Sequence, residues 1–178
     1  MDRPDPRDVN AAAAGDSAAF ERLVRFMQGR VWRYLVHLVG DVALAEDLSQ
    51  EVFLRVHRKL DTLRDPERFV GWVLVTARNA AYDAGRSRQR RPLQLVGDHD
   101  HLLHREREDP HIDVEVQDAL DRLHADLREA IVMVGVIGLT YSEAAEALAV
   151  PEGTVKSRVF RARKALMGTL SVEAADDA

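Results

Sequence analysis

Apolar residues recur along this chain three and four positions apart, and no stretch sustains an alternation of two. That periodicity predicts helices and argues against a sheet. The first stripe joins Phe20, Leu23, Val24 and Met27, behind Asp16 or Ser17 as helix cap. Gly29 is expected to bend the chain. The pattern resumes with Val31, Tyr34, Leu35 and Leu38, and Gly40 suits a C-terminal cap. Asp41 opens a third helix with Leu44, Leu48, Val52, Phe53 and Val56 inward. Lys59 to Arg64 reads as a polar break, and Asp65-Pro66 as a cap followed by a first-turn proline. Phe69, Val70, Val73, Leu74, Ala77 and Ala81 form the stripe of a fourth helix, which Pro92 ends.

The pattern then lapses. Residues 92–112 are rich in acids and histidines and read as a flexible linker. Helical spacing returns from Asp113, with Val116, Leu120 and Leu123 inward, and again from Asp126 to Ile137, closed by Gly138. Next come two short helical patterns flanking Ala149-Val150-Pro151. Thr140 and Glu143 have the T-x-x-E spacing of a reciprocal helix cap. Tyr141, Ala144, Ala145 and Leu148 share one face of the first helix, and Val155, Val159, Ala162 and Leu166 one face of the second. A short helix, a tight turn and a second helix with a cationic outer surface make a helix-turn-helix. The plainer alternative is a basic, solvated helix in an ordinary bundle. The expected fold is all-α: a frayed tail over 1–14, a helical domain over 15–91, the linker, a helix-turn-helix domain over 113–170 and an acidic tail over 171–178.

A net charge of −5 over 178 residues gives no sign of nucleic-acid binding, but its distribution does. Arg64 to Arg91 carries seven bases against three acids, and Glu152 to Leu166 five against one. Pro92 to Glu115 carries seven acids against two arginines. Each domain thus has a cationic helix, which suggests two contacts along one nucleic acid; solvated charge is the alternative for either alone. Trp72 among the arginines can stack on an unpaired base or simply fill the core.

The absence of cysteine rules out disulfides and thiolate metal sites. His99, His101, His104 and His111 cluster in the linker beside aspartates, and such a group could bind zinc or copper; because no helix fixes their geometry, the expectation is no metal and no other cofactor. No nucleophile elbow, HExxH or phosphate-cradling loop is present, and no enzyme activity is expected. The N-terminus lacks an apolar signal core, and the run Ile131 to Leu139 is too short to span a bilayer, so the expectation is a cytoplasmic protein without direct membrane insertion.

With these residues in view, the chain resembles the extracytoplasmic-function group of bacterial sigma factors, within the sigma-70 family. Three segments carry the likeness, in the family's order: AEDLSQEVFLRVHRKL from Ala45, FVGWVLVTARNAAYDAGRSRQRR from Phe69, and YSEAAEALAVPEGTVKSRVFRARKAL from Tyr141. The resemblance implies a promoter-specificity subunit whose partners are core RNA polymerase, through the β′ clamp, promoter DNA and, commonly in the family, an anti-sigma factor. It implies polymerase docking at Glu46, Asp47, Gln50, Glu51 and Phe53, with packing as the alternative for Phe53. It implies −10 strand contacts at Asp61, Arg64, Arg68, Trp72, Arg78, Asn79 and Arg86, with Asp83 ordering its helix. It implies −35 contacts at Thr154, Lys156, Ser157, Arg158, Phe160, Arg161 and Arg163, where Arg158 and Arg161 suit guanine. The two promoter elements lie about 70 Å apart, two duplex turns. A flexible linker of about twenty residues typically spans only about 25 Å, so polymerase must hold the domains apart. Two rivals stand beside this reading. One is a free-standing helix-turn-helix regulator and the other a helical adaptor that binds no DNA.

Overall fold

The computed structural model describes residues 3–90 and 114–176. Among them every regular element is helical. The linker, with His99, His101, His104 and His111, lies outside the described residues.

The first unit contains α1 (Pro6–Ala13), α2 (Ser17–Val39), α3 (Val42–Lys59) and α4 (Phe69–Arg90). Local chemistry explains their starts. The Asp16 carboxylate accepts from the N–H groups of Ala18 and Ala19, and that of Asp41 from Leu44. Gly40 closes α2 in the left-handed region at φ 68°, which costs glycine little. Asp65 caps a single 3-10 turn, Pro66–Arg68, that feeds α4. A second such turn, Leu60–Thr62, lies in the expected polar break and anchors it through buried Leu60.

Two expectations fail here. Residues 6–13 are helical rather than frayed: Asp5 caps α1, Pro6 fits its first turn, and Val9 is buried against the core. Gly29 does not bend the chain, because the stripe Leu23, Met27, Val31, Tyr34 and Leu35 runs unbroken through α2.

The second unit contains α5 (Val114–Asp121), α6 (Ala125–Ile131), α7 (Tyr141–Leu148) and α8 (Glu152–Asp176). Helix α6 runs into a π turn, Val132–Val136, and Gly138 then reverses the chain at φ 81°. On α5 the inward face is one position off expectation: Gln117 is fully buried, while Val116 is 38% exposed. Gln117 bonds His37 of α2 at 2.6 Å and Asp121 at 3.0 Å. That polar bridge to the first unit sets the face of α5. Helix α8 continues through most of the expected acidic tail, to Asp176.

The two units pack on each other. One hydrophobic cluster runs from Val9 and Leu23 through Phe69 and Leu74 to Met133, Leu148 and Val159. Helix α4 lies against α7, and α2 against the π turn. This shared core places the surface of α4 under the helix-turn-helix.

Gly29→Ala tests the continuous α2. A Cβ there meets nothing within 4 Å, so the substitution is expected to stabilise the protein by about 0.5–1 kcal/mol, read as a higher urea midpoint at unchanged slope. A helix bent at Gly29 would lose stability instead.

Candidate nucleic-acid and polymerase interfaces

Three surfaces gather the candidate residues. The first is a shallow cleft of about 380 Å³ between α2 and α3, lined by Gln28, Trp32, Glu46, Gln50 and Phe53 among others. Glu46, Gln50 and Phe53 are four and three residues apart, which aligns them on one helix face. Asp47 and Glu51 form a neighbouring ridge with Leu54, which is 57% exposed. Glu51 is held by Arg55 at 2.6 Å. Gln28, Trp32 and Leu54 were not anticipated from sequence. Trp32 comes from a different helix, and Leu54 stands out only once its side is known to face solvent.

The second surface lies around the 3-10 turns and α4. Thr62, Arg64, Asp65, Arg68, Gly71 and Trp72 help line a cleft of about 340 Å³. Trp72 is half-buried, so it both packs and faces the cleft. Asp61 and Asn79 are exposed. Arg86 bonds Asp83 at 2.6 Å, and Asp83 also reaches Arg55 of α3 at 3.6 Å. The bond from Arg86, with its charge and that of Arg55, holds the Asp83 carboxyl below its ordinary value. Asp83 thus ties α4 to α3.

Arg68 and Arg78 both pair with carboxylates of the second unit, Arg68 at the surface and Arg78 half-buried. Arg68 pairs with Glu146 of α7. The Arg78 Nε donates to Glu129 of α6 at 3.0 Å, and Glu129 is only 2% exposed. The Arg78 guanidinium also lies 5.0 Å from the centre of the Tyr82 ring. Burial, then the Glu129 carboxylate, push the Tyr82 phenol upward. Burial does the same more strongly to Tyr34, whose hydroxyl finds no hydrogen-bond partner among the described residues. Nothing in the local sequence marks Glu129 as buried. Its partner is 51 residues away.

The third surface is α8 behind the helix-turn-helix. The capping box is present: the Glu143 N–H donates to the Thr140 hydroxyl at 3.2 Å, and the Thr140 N–H to the Glu143 carboxylate at 2.9 Å. Ala149 ends α7 in the left-handed region at φ 54°, and Pro151 directly precedes α8. Val155, Val159 and Ala162 are buried, which fixes the outward face. Lys156, Ser157, Phe160, Arg161 and Arg163 are exposed, Phe160 by 68%, and Thr154 is half-buried. Lys156 pairs with Glu152 at 2.7 Å. Arg161 bonds only back to the Ser157 carbonyl among the contacts described, at 3.3 Å. Arg158 is placed differently: 20% exposed, it turns toward α6 and meets Asp126 at 3.2 Å. Among the described residues no group of three or more His, Asp or Glu side chains is arranged to hold a metal ion.

The chain matches the family model for sigma-70 region 2 over residues 23–91 and that for sigma-70 region 4 over residues 113–166. It belongs to the sigma-70 family, in the extracytoplasmic-function group. It is 35% identical over 160 residues to the ECF RNA polymerase sigma factor SigC of Mycobacterium tuberculosis, covering 88% of this chain and 86% of that one. It is 32% identical over 177 residues to the RNA polymerase sigma-H factor of Pseudomonas aeruginosa, covering 91% of each. Among solved structures, the sigma factor RpoE of Bartonella quintana, in complex with the anti-sigma factor NepR, superposes with a TM-score of 0.71 at 28% identity, over 86% of this chain and 97% of that one. CnrH, in complex with the cytosolic domain of CnrY, shares the fold at a TM-score of 0.72 and 24% identity, over 95% and 98%. In this sigma factor, region 2 corresponds to the first unit and region 4 to the second.

The capping box yields a pH signature. Burial alone would raise Glu143, but the bonds from the Thr140 N–H and hydroxyl and from Arg3 outweigh it and hold the carboxyl below its ordinary value. Its contribution to stability is therefore complete above the unfolded-state pKa and fades as pH falls through the lower folded one. Thr140→Ala is expected to cost about 1 kcal/mol near neutrality. Urea titrations should show that cost shrinking as pH drops through the carboxylate range.

Proposed function

We propose a division of labour within this promoter-specificity subunit that follows its three surfaces. The cleft and acidic ridge on α2 and α3 would meet basic residues of the polymerase clamp, with Phe53 and Trp32 supplying apolar contact. The cleft beside Trp72, with Arg64 and Arg68 at its rim, would take an unpaired base of the −10 element. Flipping a base costs a few kcal/mol, which stacking and a shaped pocket offset. Arg78 and Asn79, further along α4, would track the same strand.

The outward face of α8 would enter the major groove at the −35 element. Arg161 has the best placement for base-edge contact. Lys156 and Arg163 suit phosphates, which position the protein without specifying sequence, and Phe160 suits a thymine methyl. Arg158 would act there only after leaving Asp126; where it stands, it orders α8 on α6. The protein itself would carry out no catalysis. It would work in the cytoplasm, answerable to an anti-sigma factor. No helix among the described residues is long and apolar enough to cross a membrane.

The observation that carries this reading is the separation of an acidic docking face from two cationic faces on one chain, in the family's order. A free-standing regulator has no use for the first, and a helical adaptor none for the other two.

Transcription assays on a promoter library with added core polymerase test it. The expected result is sequence-selective initiation; folded protein that gives none would sink the reading. Arg161→Ala should relax −35 preference by about 1–3 kcal/mol at one base pair and leave polymerase binding intact. Charge reversal at Asp47 and Glu51 together should weaken polymerase binding with the helix content unchanged.

A further inference from the structure

Nothing among the described residues requires glycine at position 153. Gly15, Gly40 and Gly138 hold positive φ angles that other residues adopt only at a cost, but Gly153 does not. It is exposed in the first turn of α8, and a Cβ added there meets nothing within 4 Å. Alanine at such a position leaves the folded chain unstrained and the unfolded chain with less freedom, so it is the more stable choice. Glycine there is a cost that the protein alone does not recover.

Its place on the helix is informative. At about 100° per residue, the line opposite buried Val155, Val159 and Ala162 runs through Gly153, Ser157 and Lys164, with Phe160 and Arg161 on either side. Side chains lengthen along that line. Gly153 has none. Ser157 folds its hydroxyl back onto the Thr154 carbonyl at 2.8 Å. Phe160 and Arg161 then project, and Lys164 ends the line as an exposed cation with no ion-pair partner among the described residues. Lys156 and Arg158 lie off the line and pair with Glu152 and Asp126.

A surface bare at one end and long at the other fits a partner that is near at the first and far at the second. The major groove is about 8.5 Å deep, and Gly153 to Lys164 is about 16 Å of helix. A helix inclined by roughly 30° climbs from floor to rim over that length.

We infer that Gly153 is the point where α8 comes closest to promoter DNA, its bare backbone resting on base edges at the floor of the −35 groove, and that Lys164 ends the same line on a phosphate at the rim. Gly153 is a positioning residue: it sets the depth at which Phe160 and Arg161 meet the bases. This rests on the reading of the outward face of α8 as the −35 surface.

Gly153→Ala in the full-length protein carries the test. Its urea midpoint should rise at unchanged slope; a lower midpoint overturns the inference, because the protein itself then needs the glycine. With core polymerase bound, half-saturation of a promoter fragment recovered from the library should need at least about fivefold more complex, at unchanged core affinity. The loss should shrink on the same fragment with its −35 element scrambled, and Gly153→Leu should enlarge it on the intact one. Full affinity in both variants overturns the close approach.

Lys164→Gln should weaken binding about equally on intact and scrambled fragments, and the slope of log affinity against log salt should become shallower by about 0.9. An unchanged slope overturns the rim contact. Arg161→Ala separates this inference from the reading beneath it. If Arg161→Ala relaxes −35 preference while both Gly153 variants bind fully, the −35 reading of α8 stands and the close approach falls. If none of these variants alters the preference for the intact fragment, the −35 reading falls with it.

Discussion

The ion pair between Arg78 and Glu129 is the constraint on which the observed arrangement turns. A carboxylate that is 2% exposed is costly to bury unless a cation stands beside it. Its partner sits on the other unit of the chain. The pair therefore ties α6 to α4 beside the seam where α4 packs on α7. The π turn meets α2, α7 covers the cleft beside Trp72, and Glu146 arrives within reach of Arg68. The apolar interior continues from one unit into the other, and this pair with Tyr82 beside it, Tyr34 and the His37–Gln117 bond are polar groups set within it.

Two kinds of interaction share this seam. Apolar contact supplies most of the attraction and sets no direction, whereas the ion pair and the hydrogen bonds fix the register. A seam made only of hydrophobic side chains would hold the units together without fixing how one sits on the other.

Legibility in the sequence followed the range of the interactions. The caps at Asp16, Asp41, Asp65 and Thr140–Glu143 depend on residues two or three positions apart, and a reader of the chain can see them directly. The stripes of α2, α3, α4 and α8 were visible for the same reason. Helix α1 was hidden because only one of its residues, Val9, is buried, too few to make a period. Gly29 misled because glycine lowers helix propensity without forbidding a helix whose flanks are well packed. Of the candidate site residues, the placement of Arg161 followed from Val159 and Ala162 facing inward. That of Arg158, Arg68 and Arg78 did not, since their partners Asp126, Glu146 and Glu129 are set by packing between distant segments.

The π turn at Val132–Val136 has an evolutionary implication. There the Ile137 N–H reaches back five residues to the Val132 carbonyl, at 3.0 Å, instead of four. A wide turn of this kind is an α-helical turn carrying one extra residue. Losing a residue from it would restore ordinary winding and leave the downstream segment facing much as before, because the wide turn already absorbs the extra residue. The helix-turn-helix would keep both its own fold and the heading of α8. This is thus a site where the chain can change length by one codon while the outward face of α8 keeps its place.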